Sequence, residues 1–125
     1  MLTDSKAFNG FAVKDLERAR EFYGETLGLG IEVLDEQNGL VMLKLAGGRD
    51  TLMYVSADMT PASYTILNFE VDDIDAAVDE LGRRGVSFER YDEFPQDEKG
   101  VMRENGPQIA WFKDPSGNVL SVLQQ

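Results

Sequence analysis

Neither histidine nor cysteine occurs among the 125 residues. The first absence removes the commonest metal ligand and the one side chain whose unperturbed pKa lies near neutrality. The second excludes disulfides, a thiolate nucleophile, Cys-ligated zinc and iron–sulfur clusters. Together they rule out Ser–His and Cys–His catalytic pairs. Long apolar runs are missing too. Stretches such as Leu40-Val41-Met42-Leu43 stop far short of the roughly 18 residues that a membrane-spanning helix needs. The start, Met1-Leu2-Thr3-Asp4-Ser5-Lys6, lacks the basic-then-apolar pattern of a signal peptide, so a cytoplasmic protein is expected. Basic residues are scarce, 12 against 23 acidic ones, for a formal net charge of −11. Nucleic acid and anionic membrane both require a positive footprint and are not expected as partners. The acidic excess suits a cationic ligand, or simply keeps the surface solvated.

What is present is a repeat. Phe11-Ala12-Val13-Lys14-Asp15-Leu16 aligns with Phe69-Glu70-Val71-Asp72-Asp73-Ile74 at an offset of 58 residues. Each copy reads as a strand ending in Val, an Asp able to cap a helix, and an amphipathic helix. Leu16, Ala19, Phe22 and Tyr23 form the apolar stripe of the first helix; Ile74, Ala77, Val78 and Leu81 form that of the second. Glycines at 24 and 28, and at 82 and 85, read as helix stops.

Strand patterns follow each helix. In the first half they cover 31–34, 40–45 after an Asn38-Gly39 turn, and 51–55. In the second half they cover 86–90, 108–112 and 119–123, the last two joined by an Asp114-Pro115-Ser116-Gly117 turn. The expected fold is α+β: tandem βαβββ modules in a single domain, 1–125, with module one at 7–55, a connector at 56–63 and module two at 64–125. Residues 92–106 form a long polar insertion, and long loops in compact domains are often functional.

Val13-Lys14-Asp15-Leu16 with Ala19, Phe22-Tyr23 and Leu27-Gly28-Leu29 resembles the first-module signature of the vicinal-oxygen-chelate superfamily. That group comprises glyoxalases, bleomycin resistance proteins and dioxygenases. Trp111-Phe112-Lys113-Asp114-Pro115-Ser116-Gly117-Asn118-Val119-Leu120 resembles its closing hairpin. The resemblance implies curved mixed sheets that enclose a cleft, and commonly a homodimer. Chemistry does not follow from it, because the group includes lyases, dioxygenases and proteins that only bind drugs. Family enzymes hold a divalent metal with one residue on the first and one on the last strand of each module. Matching the repeat and the hairpin puts those positions at Phe8, Tyr54, Ile66 and Ser121. Such side chains are poor ligands, so no metal and no other cofactor is expected. The carboxylates at 92, 93, 97, 98 and 104 match no known oxygen-ligand loop and read as a solvated acidic segment.

Further candidates for lining the cleft are Tyr91, Phe94, Met102 and Trp111, which, with Tyr54, could receive an aromatic or cationic molecule or could pack as core. Asn68, an amide in mid-strand, reads as a ligand contact or as a backbone-pairing group. Arg103 could meet a ligand carboxylate, or lie solvated in its loop. Glu70 is the best single general-base candidate, though a strand-end position beside Asp72-Asp73 suits solvent equally well. The leading functional reading is a metal-free protein that binds a small molecule in its cleft. The alternative is a lyase or dioxygenase-like enzyme with a non-standard metal site.

Overall fold

The two Asp residues of the repeat start the two helices. Asp15 Oδ1 accepts from the Arg18 backbone N–H at 3.0 Å and Asp73 Oδ1 from that of Ala76 at 3.1 Å. Each satisfies one of the amide donors that a helix start leaves unpaired. The computed structural model describes all 125 residues, in two compact units, Met1–Met59 and Thr60–Gln125.

In the first unit β1 (Gly10–Val13) leads into α1 (Leu16–Arg20), which continues as a wide π-helical turn over Glu21–Thr26. There the Leu27 N–H reaches back to the Phe22 carbonyl, and Tyr23 is wholly buried against the Phe11 and Phe22 rings. Gly24 is therefore not a stop, as its position suggested. It lies inside the wide turn, where a Cβ would stand 2.9 Å from the Ile31 Cδ1, so glycine is what lets helix and strand approach. Gly28, at φ 77°, turns the chain out of the helix. Strands β2 (Gly30–Asp35), β3 (Leu40–Lys44) and β4 (Thr51–Val55) follow. The sheet order is β1-β4-β3-β2, with β1 and β4 parallel and the other pairs antiparallel. Val13, Val41, Leu43 and Met53 are buried on one face. Alternation puts Ala12, Leu40, Met42, Leu52 and Tyr54 on the other.

The second unit contains β5 (Thr65–Glu70), α2 (Ile74–Arg83), β6 (Gln108–Lys113) and β7 (Val119–Gln124), in the order β5-β7-β6 with β5 parallel to β7. Gly82 falls within α2, and Gly85, at φ 92°, ends it. Helix α2 packs on β7 and β6 through buried Ile74 and Val78. Ala110, Phe112, Leu120 and Val122 make the core on that face. The β6–β7 hairpin is locked by buried Asp114, whose Oδ1 accepts from the backbone N–H groups of Ser116 (2.8 Å) and Asn118 (2.9 Å).

The strand expected at 86–90 does not form. Only Phe88 pairs, in a single bridge to Phe112, and the Glu89 N–H donates to the Trp111 carbonyl. The groups that would extend a ladder are engaged elsewhere: the Gln96 side chain takes the Glu89 carbonyl and the Tyr91 N–H. Further along, β6 is met by Met102 of the insertion, which bridges Ile109. The second module is thus βαββ with a bridged segment in place of the missing strand. No helix is long and apolar enough to cross a membrane.

Candidate functional site

Register across the second sheet assembles one face row by row. Asn68, Ser121 and Trp111 are direct partners on β5, β7 and β6, so their side chains emerge on the same side. The adjacent row is Glu70, Leu123 and Ile109, extended by the bridge to Met102. The opposite face carries Leu67, Leu120 and Phe112 and belongs to the core. A bulge between Thr65 and Leu67 shifts the register at Ile66. Beyond the bulge the residue aligned with Ser121 is Asn68, two places on from Ile66, the first-strand position given by the repeat.

Ser121 is fully buried, and its hydroxyl donates to Asn68 Oδ1 at 2.5 Å. On its other flank Trp111 anchors a cluster of three rings. Phe94 stacks on the indole, with centroids 5.3 Å apart and planes at 25°, while Tyr91 meets Trp111 edge-on at 5.5 Å and Phe94 at 5.8 Å. Phe94 remains 39% exposed and Trp111 half-buried, so the cluster is not sealed core. Burial, followed by the nearby Glu89 and Glu93 carboxylates, raises the Tyr91 phenol above its ordinary value and keeps it protonated.

Tyr91 and Phe94 are presented by the stretch leading into the insertion, which is firmly held. The Gln96 amide accepts from the Tyr91 N–H at 2.7 Å and donates to the carbonyls of Glu89 (2.9 Å) and Gly100 (2.8 Å). Asp97 Oδ1 takes the backbone N–H groups of Lys99 and Val101, and the Val101 side chain is wholly buried. Arg103 is not poised for a ligand carboxylate. Its guanidinium lies 2.8 Å from Asp75 on α2 and 2.9 Å from Asp97, and it also donates to Gln108. Lys99 adds a contact to Asp79 at 3.1 Å. The hydrogen bond from Arg103 holds the Asp75 carboxyl below its usual range. Burial would raise Asp97, but the N–H groups of Val101 and Lys99, with Arg103, leave it lowered overall. The segment read as a solvated acidic run is therefore pinned to the helix by its own charges.

Of the remaining candidates, Glu70 belongs to the second row of this face, and Phe8 and Tyr54 belong to the first unit. Phe8 precedes β1 and is 67% exposed; Tyr54, 39% exposed, stands on the face of the first sheet opposite Val41 and Leu43. Glu70 is exposed at the end of β5 beside Leu123. A groove of about 380 Å³ in the first unit is lined by Glu17, Arg20, Glu21, Glu25, Ile31 and Val33, and contains none of the candidate residues. Gln96 and Tyr91, central to the architecture of the site, were respectively missed and only partly credited. No sequence pattern marks a Gln whose role is to bond three backbone groups at once.

The sequence pattern of the glyoxalase/bleomycin resistance protein/dioxygenase superfamily matches residues 8–122. The chain belongs to this superfamily. Among its relatives is the Bacillus subtilis (strain 168) protein YraH, 29% identical in an alignment covering 90% of this chain and 91% of YraH. The crystal structure of TnmS3, an antibiotic binding protein from Streptomyces sp. CB03234, superposes with a TM-score of 0.66 at 26% identity, covering 98% of each chain. A superfamily member from Sphaerobacter thermophilus DSM 20745 gives 0.68 at 24% identity, covering 96% of this chain and 98% of its own. The superfamily's divalent metal does not fit this chain's donors. Phe8 and Ile66 offer only carbon, Tyr54 is a weak donor to a divalent ion, and the Ser121 hydroxyl is engaged with Asn68. No group of three or more carboxylates converges elsewhere.

Proposed function

We propose that this chain is a metal-free binding protein of the superfamily, and that it takes a small aromatic or cationic molecule on the β5-β7-β6 face. One observation carries the reading: Trp111, Phe94 and Tyr91 form a half-open aromatic cluster beside the polar pair Asn68–Ser121. Aromatic faces attract planar rings by offset stacking and cations through the ring quadrupole. A largely apolar surface with a few fixed polar groups is the usual composition of a small-molecule site. The likeness to TnmS3 supports binding without chemistry, since that relative is an antibiotic binding protein. The lack of histidine and of any paired nucleophile and base is in keeping with the same reading. In this account the chain works as a homodimer, which would cover sheet edges that each unit leaves open.

Trp111 is the sole tryptophan, so its emission reports on the site without labelling. Titration with planar aromatic compounds, neutral and cationic, is expected to quench that emission saturably and with unit stoichiometry per chain. Quenching that rises linearly without saturation for every compound would refute the proposal.

A further inference from the structure

We infer that Asn68 is the specificity-determining residue of this face, set by Ser121 so that its amide N–H₂ selects a planar ligand carrying a carbonyl-type acceptor; this rests on the binding reading above. An amide has one acceptor oxygen and two N–H donors. The wholly buried Ser121 hydroxyl takes the oxygen at 2.5 Å, which fixes the direction of the amide and leaves Nδ2 with no partner in the protein. Asn68 is exposed, so those donors point to where a ligand can meet them. The Trp111 indole N–H is likewise without a protein partner, yet it is not buried. Two unspent donor groups, the Asn68 N–H₂ and the Trp111 indole N–H, therefore share one row of the sheet, on either side of Ser121. Neighbouring strands lie roughly 4.8 Å apart, which puts the two residues about 10 Å from each other, the span of a two- or three-ring molecule. Lys113, which shares this side of β6 with Trp111, is directed to Glu89 at 3.6 Å, so the selectivity comes from neutral donors rather than from charge. A hydrogen-bonding site rejects an analogue lacking the matching atom because its own polar groups are then left unpaired.

The consequence is a difference between two ligands of one shape. 9-Fluorenone and fluorene share a planar three-ring frame, and only the first carries a carbonyl. Quenching of Trp111 emission is expected to give about three- to tenfold tighter binding of fluorenone, the net value of one neutral hydrogen bond. Asn68→Ala should erase that preference, bringing the two affinities within a factor of two of each other, and Asn68→Asp, which offers acceptors only, should invert it. Ser121→Ala should reduce the preference, and Ser121→Thr, which keeps the hydroxyl, should restore it; a merely structural Ser121 would change both affinities alike. Equal binding of the two compounds by the wild-type protein, or an unchanged preference in Asn68→Ala, overturns the assignment and leaves aromatic binding intact. Failure of both compounds, and of other planar aromatics, to quench saturably overturns the binding reading and the assignment with it.

Discussion

Gln96→Ala tests whether the aromatic cluster is held by the insertion or merely lies near it. The substitution deletes the acceptor for the Tyr91 N–H and the donor to the Glu89 and Gly100 carbonyls. Each such bond contributes a net ~0.5–1.5 kcal/mol, and more where a buried group is left unpaired. Gly100 is buried, whereas the neighbourhood of Gln96 is half-open and water can replace part of what is lost. The expected destabilisation is about 2–3 kcal/mol. For a chain of this length, about 3–5 °C per kcal/mol places the drop in Tm at roughly 6–15 °C. Because Tyr91 and Phe94 lie on the affected stretch, Trp111 should lose its ring partners and its emission should shift to the red even well below Tm. Circular dichroism melts and fluorescence spectra of the same samples check both effects. Gln96→Glu keeps an acceptor for Tyr91 but turns a carboxylate oxygen toward two carbonyls, and should be at least as damaging near neutral pH. A Gln96→Ala protein that melts within 1 °C of the wild type with an unchanged Trp111 spectrum would refute this account of the loop.

Phe112→Ala removes a wholly buried ring in contact with Phe88 and should cost about 3–5 kcal/mol, seen as a large fall in Tm. The Asp75 and Asp97 carboxyls titrate below their ordinary value of 3.8 in the folded chain, so their contribution is complete above that pH and lost as pH falls through the folded values. Trp111 emission should accordingly hold constant from neutrality to about pH 4 and change only below it. Light scattering at micromolar concentration should give twice the 13.9 kDa chain mass; a monomer mass would contradict the dimer. After dialysis, nickel, zinc, manganese or iron should move Tm by less than 1 °C, whereas a true site at a hundredfold excess over Kd would add about 2.7 kcal/mol.

The parts of this molecule legible in its sequence are those governed by local chemistry. The Asp caps, the alternating strands and the Asp-Pro-Ser-Gly hairpin each act over a few residues, and the repeat doubles the signal. The missing strand at 86–90 was not legible, because its pairing groups are captured by Gln96, several residues away and without a periodic signature. The same holds for the bulge at Ile66, which moves the partner of Ser121 to Asn68. A register slip of one residue exchanges the two faces of a strand, and nothing local to 65–67 announces it. Arg103 and Asp75 are far apart in sequence, so their pairing, which turns an acidic run into a fastened loop, emerges only in three dimensions. Trp111 was recognisable as a candidate because it opens a motif, whereas its stacking on Phe94 depends on where the insertion is pinned.

The most direct test of the central claim uses the same lone tryptophan. In a ¹H–¹⁵N correlation spectrum the indole N–H of Trp111 gives a single resolved peak, and the Asn68 side-chain amide can be assigned by its loss in Asn68→Ala. Titration with 9-fluorenone is predicted to move these two signals most, with smaller shifts in Ile109, Ser121 and Leu123. Shifts centred instead on the groove lined by Glu17, Glu21 and Ile31, with the Trp111 indole unmoved, would contradict the claim that the β5-β7-β6 face is the binding site.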